Sequence, residues 1–339
     1  KAAHDKCLDL FFFEGVPANQ QFALMCCRNF SVSPLMRFPY LANKLLFGSS
    51  QHCVLPLRAR TNSRDKEGLF HRIPTQIRFT KEEHEKGSTY LKKFGLTHGD
   101  KFVCLIVRDR EYLEKAHPGR NWSYHNFRDT NVENYREAVI ALVEKGYFVF
   151  RMGKVVGKLF NFRHPLVIDY ATSEDKNDFL DVWLVAHCHF LICTGLGLDS
   201  VADSFRRPKL LVNYLPLMDM EAWGNHITVP KKPTWSSGGR PLTLSEQVRY
   251  TSLNGDYYRN NGIQITDLSP SDITNAVLEM EARLSGTWID TEEDELLNVR
   301  FWNQIRSYSE FSEYHGWIHP KARLGSHYLR ESRDWFFEV

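Results

Sequence analysis

Between residues 102 and 213, short apolar runs alternate with helical stretches, and this alternation leaves few folds open to the chain. Runs at 102–107, 147–150, 166–168, 190–193 and 210–212 are almost wholly apolar and too short for helices. Strands covered on both faces read this way. Between them, Val132, Tyr135, Val139, Leu142 and Val143 fall on one helical face, and 179–186 and 199–205 also read as helices. Five such strands with helical crossovers predict an α/β fold with a parallel sheet covered on both sides. Right-handed crossovers make that unit Rossmann-like.

The flanks are organised differently. Residues 8–13 (LDLFFF) read as a short buried strand and 19–27 as a helix. Thr80 and Glu83 have capping-box spacing ahead of a helical run that Gly95 ends, and Thr130–Glu133 reads as a second box. Residues 231–241 (KKPTWSSGGRP) read as a flexible loop, and Ser269-Pro270-Ser271-Asp272 opens a further helix. The stretch from Trp288 onward is aromatic and helical in pattern. The division this gives is 1–98, an N-terminal acceptor-side unit that a preceding segment can extend, 99–285, a nucleotide-sugar-binding Rossmann-like unit, and 286–339, a helical tail. The tail can pack back across both units or form a homodimer contact.

Composition narrows the function classes. Lys and Arg number 43 against 41 Asp and Glu, so no basic field calls for nucleic acid. The seven cysteines form no C-x-x-C, and several sit in apolar runs, which suggests reduced thiols in a cytoplasmic protein. No apolar run reaches the roughly 18–20 residues that a membrane helix needs. No secretory leader is read at the start, and the first residue is Lys1 rather than Met, which allows for a preceding segment.

Ligands of an open parallel sheet bind beyond the C-terminal ends of its strands. The residues expected there are Arg108 and Asp109, then Arg151 and Gly153, then Asp169 and Tyr170, then Thr194-Gly195-Leu196-Gly197 running into Asp199-Ser200, and lastly Asn213. The TGLGLDS turn can cradle a phosphate at a helix N-terminus, or can simply be a tight strand-to-helix turn. Arg108 and Arg151 can clamp a diphosphate, and Asp169 can accept from a ribose or cap the next turn. Gly195-x-Gly197-x-x-Ser200 approaches the dinucleotide fingerprint. Its third glycine is replaced by Ser200, it follows the fourth strand of the unit rather than the first, and Asn213 stands where an acidic residue belongs. His187, Cys188, His189 and Cys193 have no standard zinc spacing, and no Asp-x-Asp is present, so no metal is expected.

Taken together, FVCLIVRDREYL, NWSYHNFRDTNVENY, GYFVFRMG, VIDYA, DVWLVAHCHFLICTGLGLDSVADSFRRP and LLVNYLP resemble the TIGR04372-type bacterial glycosyltransferases of surface-carbohydrate biosynthesis. IRFTKEEHEKGSTYLKKFGL and SPSDITNAVLEMEARLSGTW extend the resemblance over nearly the whole chain. It implies a GT-B-like arrangement of two Rossmann-like domains, with the parallel sheet of the C-terminal one holding the donor. The Arg108 region is also similar, more distantly, to the H-x-R motif of fucosyltransferase-like enzymes, although Ile106 stands in the histidine's place. The implied reaction moves a sugar from a nucleotide diphosphate sugar to a glycan or lipid-linked hydroxyl, without a metal or other cofactor. A lipid-linked acceptor would place the chain peripherally at the inner membrane. Arg108, Arg151 and the Gly195–Ser200 turn would hold the diphosphate, and Asp169, Tyr170 and Asn213 the base or ribose. Glu14 is the candidate general base, with Asp109 and His125 as alternatives. The competing classes are a degenerate transferase acting as a nucleotide-binding scaffold, and an NAD(P)-dependent oxidoreductase.

Overall fold

The computed structural model describes residues 9–52, 64–116, 119 and 122–338. Its body is a seven-stranded parallel sheet. In chain order the strands are β1 (Phe102–Ile106), β2 (Phe148–Met152), β3 (Val167–Ile168), β4 (Leu191–Cys193), β5 (Lys209–Tyr214), β6 (His226–Pro230) and, last in the sheet, β9 (Arg323–Leu324). Their spatial order is β3-β2-β1-β4-β5-β6-β9, and each neighbouring pair is parallel. The first six follow the order of a doubly wound nucleotide-binding sheet. Residues 102–107 of β1 and its end are buried throughout, as a strand covered on both faces must be.

Helices cover the sheet where the sequence places them. Lys81–Lys92 starts at the Thr80/Glu83 capping box, and Pro270–Ser285 starts at a Ser269/Asp272 box with Pro270 in its first turn. The second box shifts by one residue. Asn131, not Thr130, caps the turn, and the Thr130 hydroxyl accepts from Asn213 instead. The tail contributes the helices Glu292–Ser307 and Ser326–Phe336, with β9 between them as a strand the sequence pattern did not reveal.

Two expectations fail. Residues 9–13 form no buried strand: Leu10, Phe11 and Phe13 are exposed, and Phe11 meets only Val32 in an isolated bridge. Residues 232–241 are no flexible loop, since β7 (Lys232–Trp235) pairs antiparallel with β8 (Ile263–Thr266). Among the described residues, those before 98 carry helices and no sheet, so a second Rossmann-like sheet is not found there.

The expected boundaries at 98 and 285 do not interrupt the core. One apolar cluster runs from Met25 through Tyr90, Leu96 and the sheet to Phe301, Leu329 and Phe336. Leu8 of the expected first strand, Cys7 and Cys53 lie outside the described residues. No helix among the described residues is long and apolar enough to cross a membrane.

The helix Lys81–Lys92 reaches the body through Gly87, which lies flat on the indole of Trp183 in the helix Asp178–His187. A Cβ added at Gly87 would stand 2.1 Å from the ring. Alanine is favoured over glycine in a helix by about 1 kcal/mol, while overpacking costs about 1–3 kcal/mol. Gly87→Ala is therefore expected to lower stability in urea unfolding, by about 1–2 kcal/mol after the offset. An increase of stability would show that the helix does not rest on Trp183.

Candidate functional site

The order β2-β1-β4-β5 puts the topological switch between β1 and β4, where the connections leave in opposite directions. A crevice opens there beyond the C-terminal ends of the strands. Both strands deliver chemistry to it. Beyond β1 comes Arg108, whose backbone N–H donates to the Thr194 hydroxyl just beyond β4 at 3.1 Å. Its Nε donates to Asp129 Oδ1 at 3.1 Å. Arg128 reaches in from the 3₁₀ turn Ser123–Arg128 and donates to the Gly195 carbonyl at 2.8 Å. Apart from these bonds, neither guanidinium makes another hydrogen bond among the described residues.

Arg128 is close enough to Arg108 to perturb it. Burial lowers the Arg108 pKa, the positive charge of Arg128 lowers it further, and Asp129 opposes both. Burial pushes the Asp129 carboxyl up against the pull of Arg108. Lys231, itself buried, donates to the Asp129 carbonyl at 2.8 Å and to Asp267 at 2.5 Å, fixing the loop from the β6 side. Like charges gathered in a partly desolvated crevice are costly unless an anion joins them. Gly195 has φ of 76°, and a Cβ there would strike the Tyr214 ring at 2.8 Å, so the turn requires glycine.

The other sequence-named residues divide by exposure. Gly197 faces open space and Ser200 is exposed, its hydroxyl donating to the Gly197 carbonyl at 2.7 Å. These two remain at the surface of the turn, and Thr194 lies just beneath. Asp199 does not line the crevice. It is buried, accepts the Leu196 N–H at 2.6 Å, and folds the turn from below. Burial pushes its carboxyl up to about 7, against the pull of Lys209. Arg151 and Asp169 neutralise one another, with Nη1 3.1 and 3.2 Å from the two carboxylate oxygens, while Nη2 donates to the Lys158 carbonyl at 2.6 Å. That buried arginine is already fully engaged, and Gly153 beside it packs against Val156.

Tyr170 and Asn213 are corrected to structural roles. Tyr170 is fully buried, with its hydroxyl on the backbone of Asn177. Asn213, in a left-handed conformation, spans Thr130 and the Leu268 N–H, stitching the end of β5 to its neighbours. Asp109 accepts from Glu111 N and Gly157 N, tying the β1 and β2 loops together. Glu14 is exposed in the loop ahead of the helix Gln20–Asn29 and makes no bond to the crevice. The His125 side chain lies outside the described residues.

Arg128, Asp129 and Lys231 were missed from sequence. The first two sit in a string read for its helix cap, its family resemblance and His125, and Lys231 in a stretch read as loop. A cavity of about 530 Å³ is walled by Asn126 and Phe127, which precede Arg128 in the chain, and by Tyr258, Arg259 and Gln264. It lies between the 3₁₀ turn carrying Arg128 and the β7–β8 ribbon, and its size is that of a small-molecule site.

No protein-family profile matches the chain, and no curated protein does. Among solved structures, it is similar to the glycosyl transferase family 9 protein from Veillonella parvula, with 12% identity and a TM-score of 0.40 over 61% of this chain and 53% of that one. It is also similar to the Thermosulfurimonas dismutans KpsC β-Kdo 2,4 transferase, with 14% identity and a TM-score of 0.23 over 42% of this chain and 49% of that one. The chain thus spans about half the length of each.

The opposite edge of the sheet carries a second polar cluster. Asp203, Glu221 and His226 bring ligand-type atoms within 4.8 Å of one another, the one such group among the described residues. Lys209, fully buried at the start of β5, places its ammonium on both carboxylates, 2.8 Å from Asp203. Burial would neutralise such a lysine, but the two carboxylates hold its pKa well above the ordinary value. The ammonium therefore already supplies the positive charge these acids require. His187 and His189, by contrast, turn apart, one stacking on Trp183 and the other on Tyr147. Lys209→Met leaves Asp203 and Glu221 with only His226 beside them and is expected to cost about 3–5 kcal/mol in urea unfolding. A loss below about 1 kcal/mol would mean that solvent or another cation compensates them.

Proposed function

We propose that the chain transfers a sugar from a nucleotide diphosphate sugar to an acceptor hydroxyl. The reading rests on one observation, the meeting of Arg108 and Arg128 beside the Gly195 turn at the β1/β4 switch point. Cleavage of the glycosidic bond to the diphosphate leaves an additional negative charge on the departing nucleotide. Guanidiniums held in place before the reaction stabilise that charge without reorganising. Asp129 orients Arg108, Lys231 holds the Asp129 loop, and the Gly195 carbonyl positions Arg128. The arginines can thus do the work that a divalent cation does for other donors. The exposed residues of the turn, Gly197 and Ser200, lie where a phosphate could lean on backbone N–H groups. The adjoining cavity has room for the donor's nucleoside or sugar. The acceptor, in this reading, is a glycan or a lipid-linked glycan.

The test is a thermal-shift panel of UDP-, GDP-, CMP- and dTDP-linked sugars and NAD(P), run with and without Mg²⁺, followed by an assay of nucleotide release. One nucleotide diphosphate sugar is expected to stabilise the fold by about 2.7 kcal/mol at a hundred times its Kd. Arg128→Ala should abolish that shift, with turnover in wild type only. Binding without nucleotide release in the presence of acceptor extracts would favour the scaffold. Stabilisation by NAD(P) alone, or by no nucleotide, would contradict the proposal.

A further inference from the structure

The N-terminal segment presents an apolar surface that nothing among the described residues covers. The 3₁₀ turn Pro34–Met36 and the helix Arg37–Asn43 expose Leu35 at 64%, Phe38 at 69% and Leu41 at 47%, and beyond the helix Leu45, Leu46 and Phe47 stand at 88%, 63% and 109%. Scattered exposed apolar side chains need no explanation, but a contiguous set of large ones does. Residues 38 and 41 follow helical spacing and share a face of the helix.

The charge of the segment says what kind of surface would cover it. From residue 15 to residue 64 there is no Asp or Glu, although the whole chain holds 41 in 339 residues. At that frequency about six would be expected in such a stretch. The exposed charges around the apolar set are Arg37 and Lys44. The Lys44 ammonium lies 4.5 Å over the Tyr40 ring, with its stem along the apolar surface. Large apolar side chains, a cationic flank and no carboxylate are the requirements for resting on an anionic bilayer. A groove of a soluble partner would not select against acidic residues over so long a stretch.

The helix Gln20–Asn29, which precedes the patch in the chain, is fixed to the body near the crevice. Gln20 N donates to Asp178 Oδ2 at 2.7 Å, Asn19 Nδ2 to the Asp178 carbonyl at 2.9 Å, and Lys154, just beyond β2, to the Ala18 carbonyl at 2.6 Å. Arg28 bonds both carboxylate oxygens of Glu83 in the helix Lys81–Lys92. These anchors lie on the same sheet edge as Arg108 and Arg128. We infer that residues 35–47 dock the protein on an anionic phospholipid surface, which would bring that edge to substrates borne on the lipid. The inference stands on exposure and charge and does not depend on the reaction proposed above.

The experiment is flotation of the intact chain with vesicles of phosphatidylcholine alone or mixed with phosphatidylglycerol, at low and high salt. Binding is expected to the mixed vesicles, weakening with salt. Leu45→Ser/Phe47→Ser and, separately, Lys44→Glu should each weaken it by about tenfold. Their urea-unfolding midpoints should be unchanged, because these side chains are exposed. Equal binding by variants and wild type, or no binding to mixed vesicles, would overturn the inference. So would a dimer in sedimentation that Leu45→Ser/Phe47→Ser abolishes, which would assign the patch to a second copy of the chain.

Discussion

The parallel pairing of β1 with β4 is the constraint on which the rest of the architecture depends. Cys104, Leu105 and Ile106 stand against Leu191, Ile192 and Cys193 in register, all buried. Strands adjacent in space but separated in sequence by two other strands, as β1 and β4 are, send their connections to opposite sides of the sheet. Their C-terminal ends therefore diverge around a crevice. The Thr194 hydroxyl bonded to Arg108 N closes the floor of that crevice. Each later feature is placed relative to this floor: the glycine turn above it, Arg128 across it, and the β7–β8 ribbon at its side.

The two edges of the sheet handle charge in opposite ways. At the N-terminal edge a buried lysine meets two carboxylates, and the group has what it needs from the protein itself. At the C-terminal edge two arginines are brought together, and burial together with their mutual repulsion disfavours the charge of Arg108. The first arrangement is self-sufficient. The second is relieved by an anion, and the shape beside it offers a cavity in which the remainder of a ligand can lie.

The sequence pattern revealed β1 to β5 because each carries a short run that is almost wholly apolar. It hid β6, β7, β8 and β9 because these carry polar or charged residues such as His226, Lys232, Gln264 and Arg323. It suggested a strand at 8–13 because it cannot tell an exposed apolar stretch from a buried one. For the site, position beyond a strand end picked out Arg108 and Gly195, which the fold brings to the crevice. It equally selected Arg151, Tyr170 and Asn213, whose partners lie far along the chain or in the core. Arg128 could not be found that way, because it belongs to a turn within a crossover and reaches the crevice only through the folded path of residues 123–128.

The account turns on whether the arginine pair takes a diphosphate. Isothermal titration with inorganic pyrophosphate, at two salt concentrations, on wild type, Arg108→Ala and Arg128→Ala, tests this without assuming any nucleotide or sugar. Charge-assisted hydrogen bonds of about 1.5–3 kcal/mol predict saturable binding that weakens roughly tenfold or more in each variant. It should also weaken with salt in wild type. No binding, or binding that both alanine variants retain, would contradict the central claim.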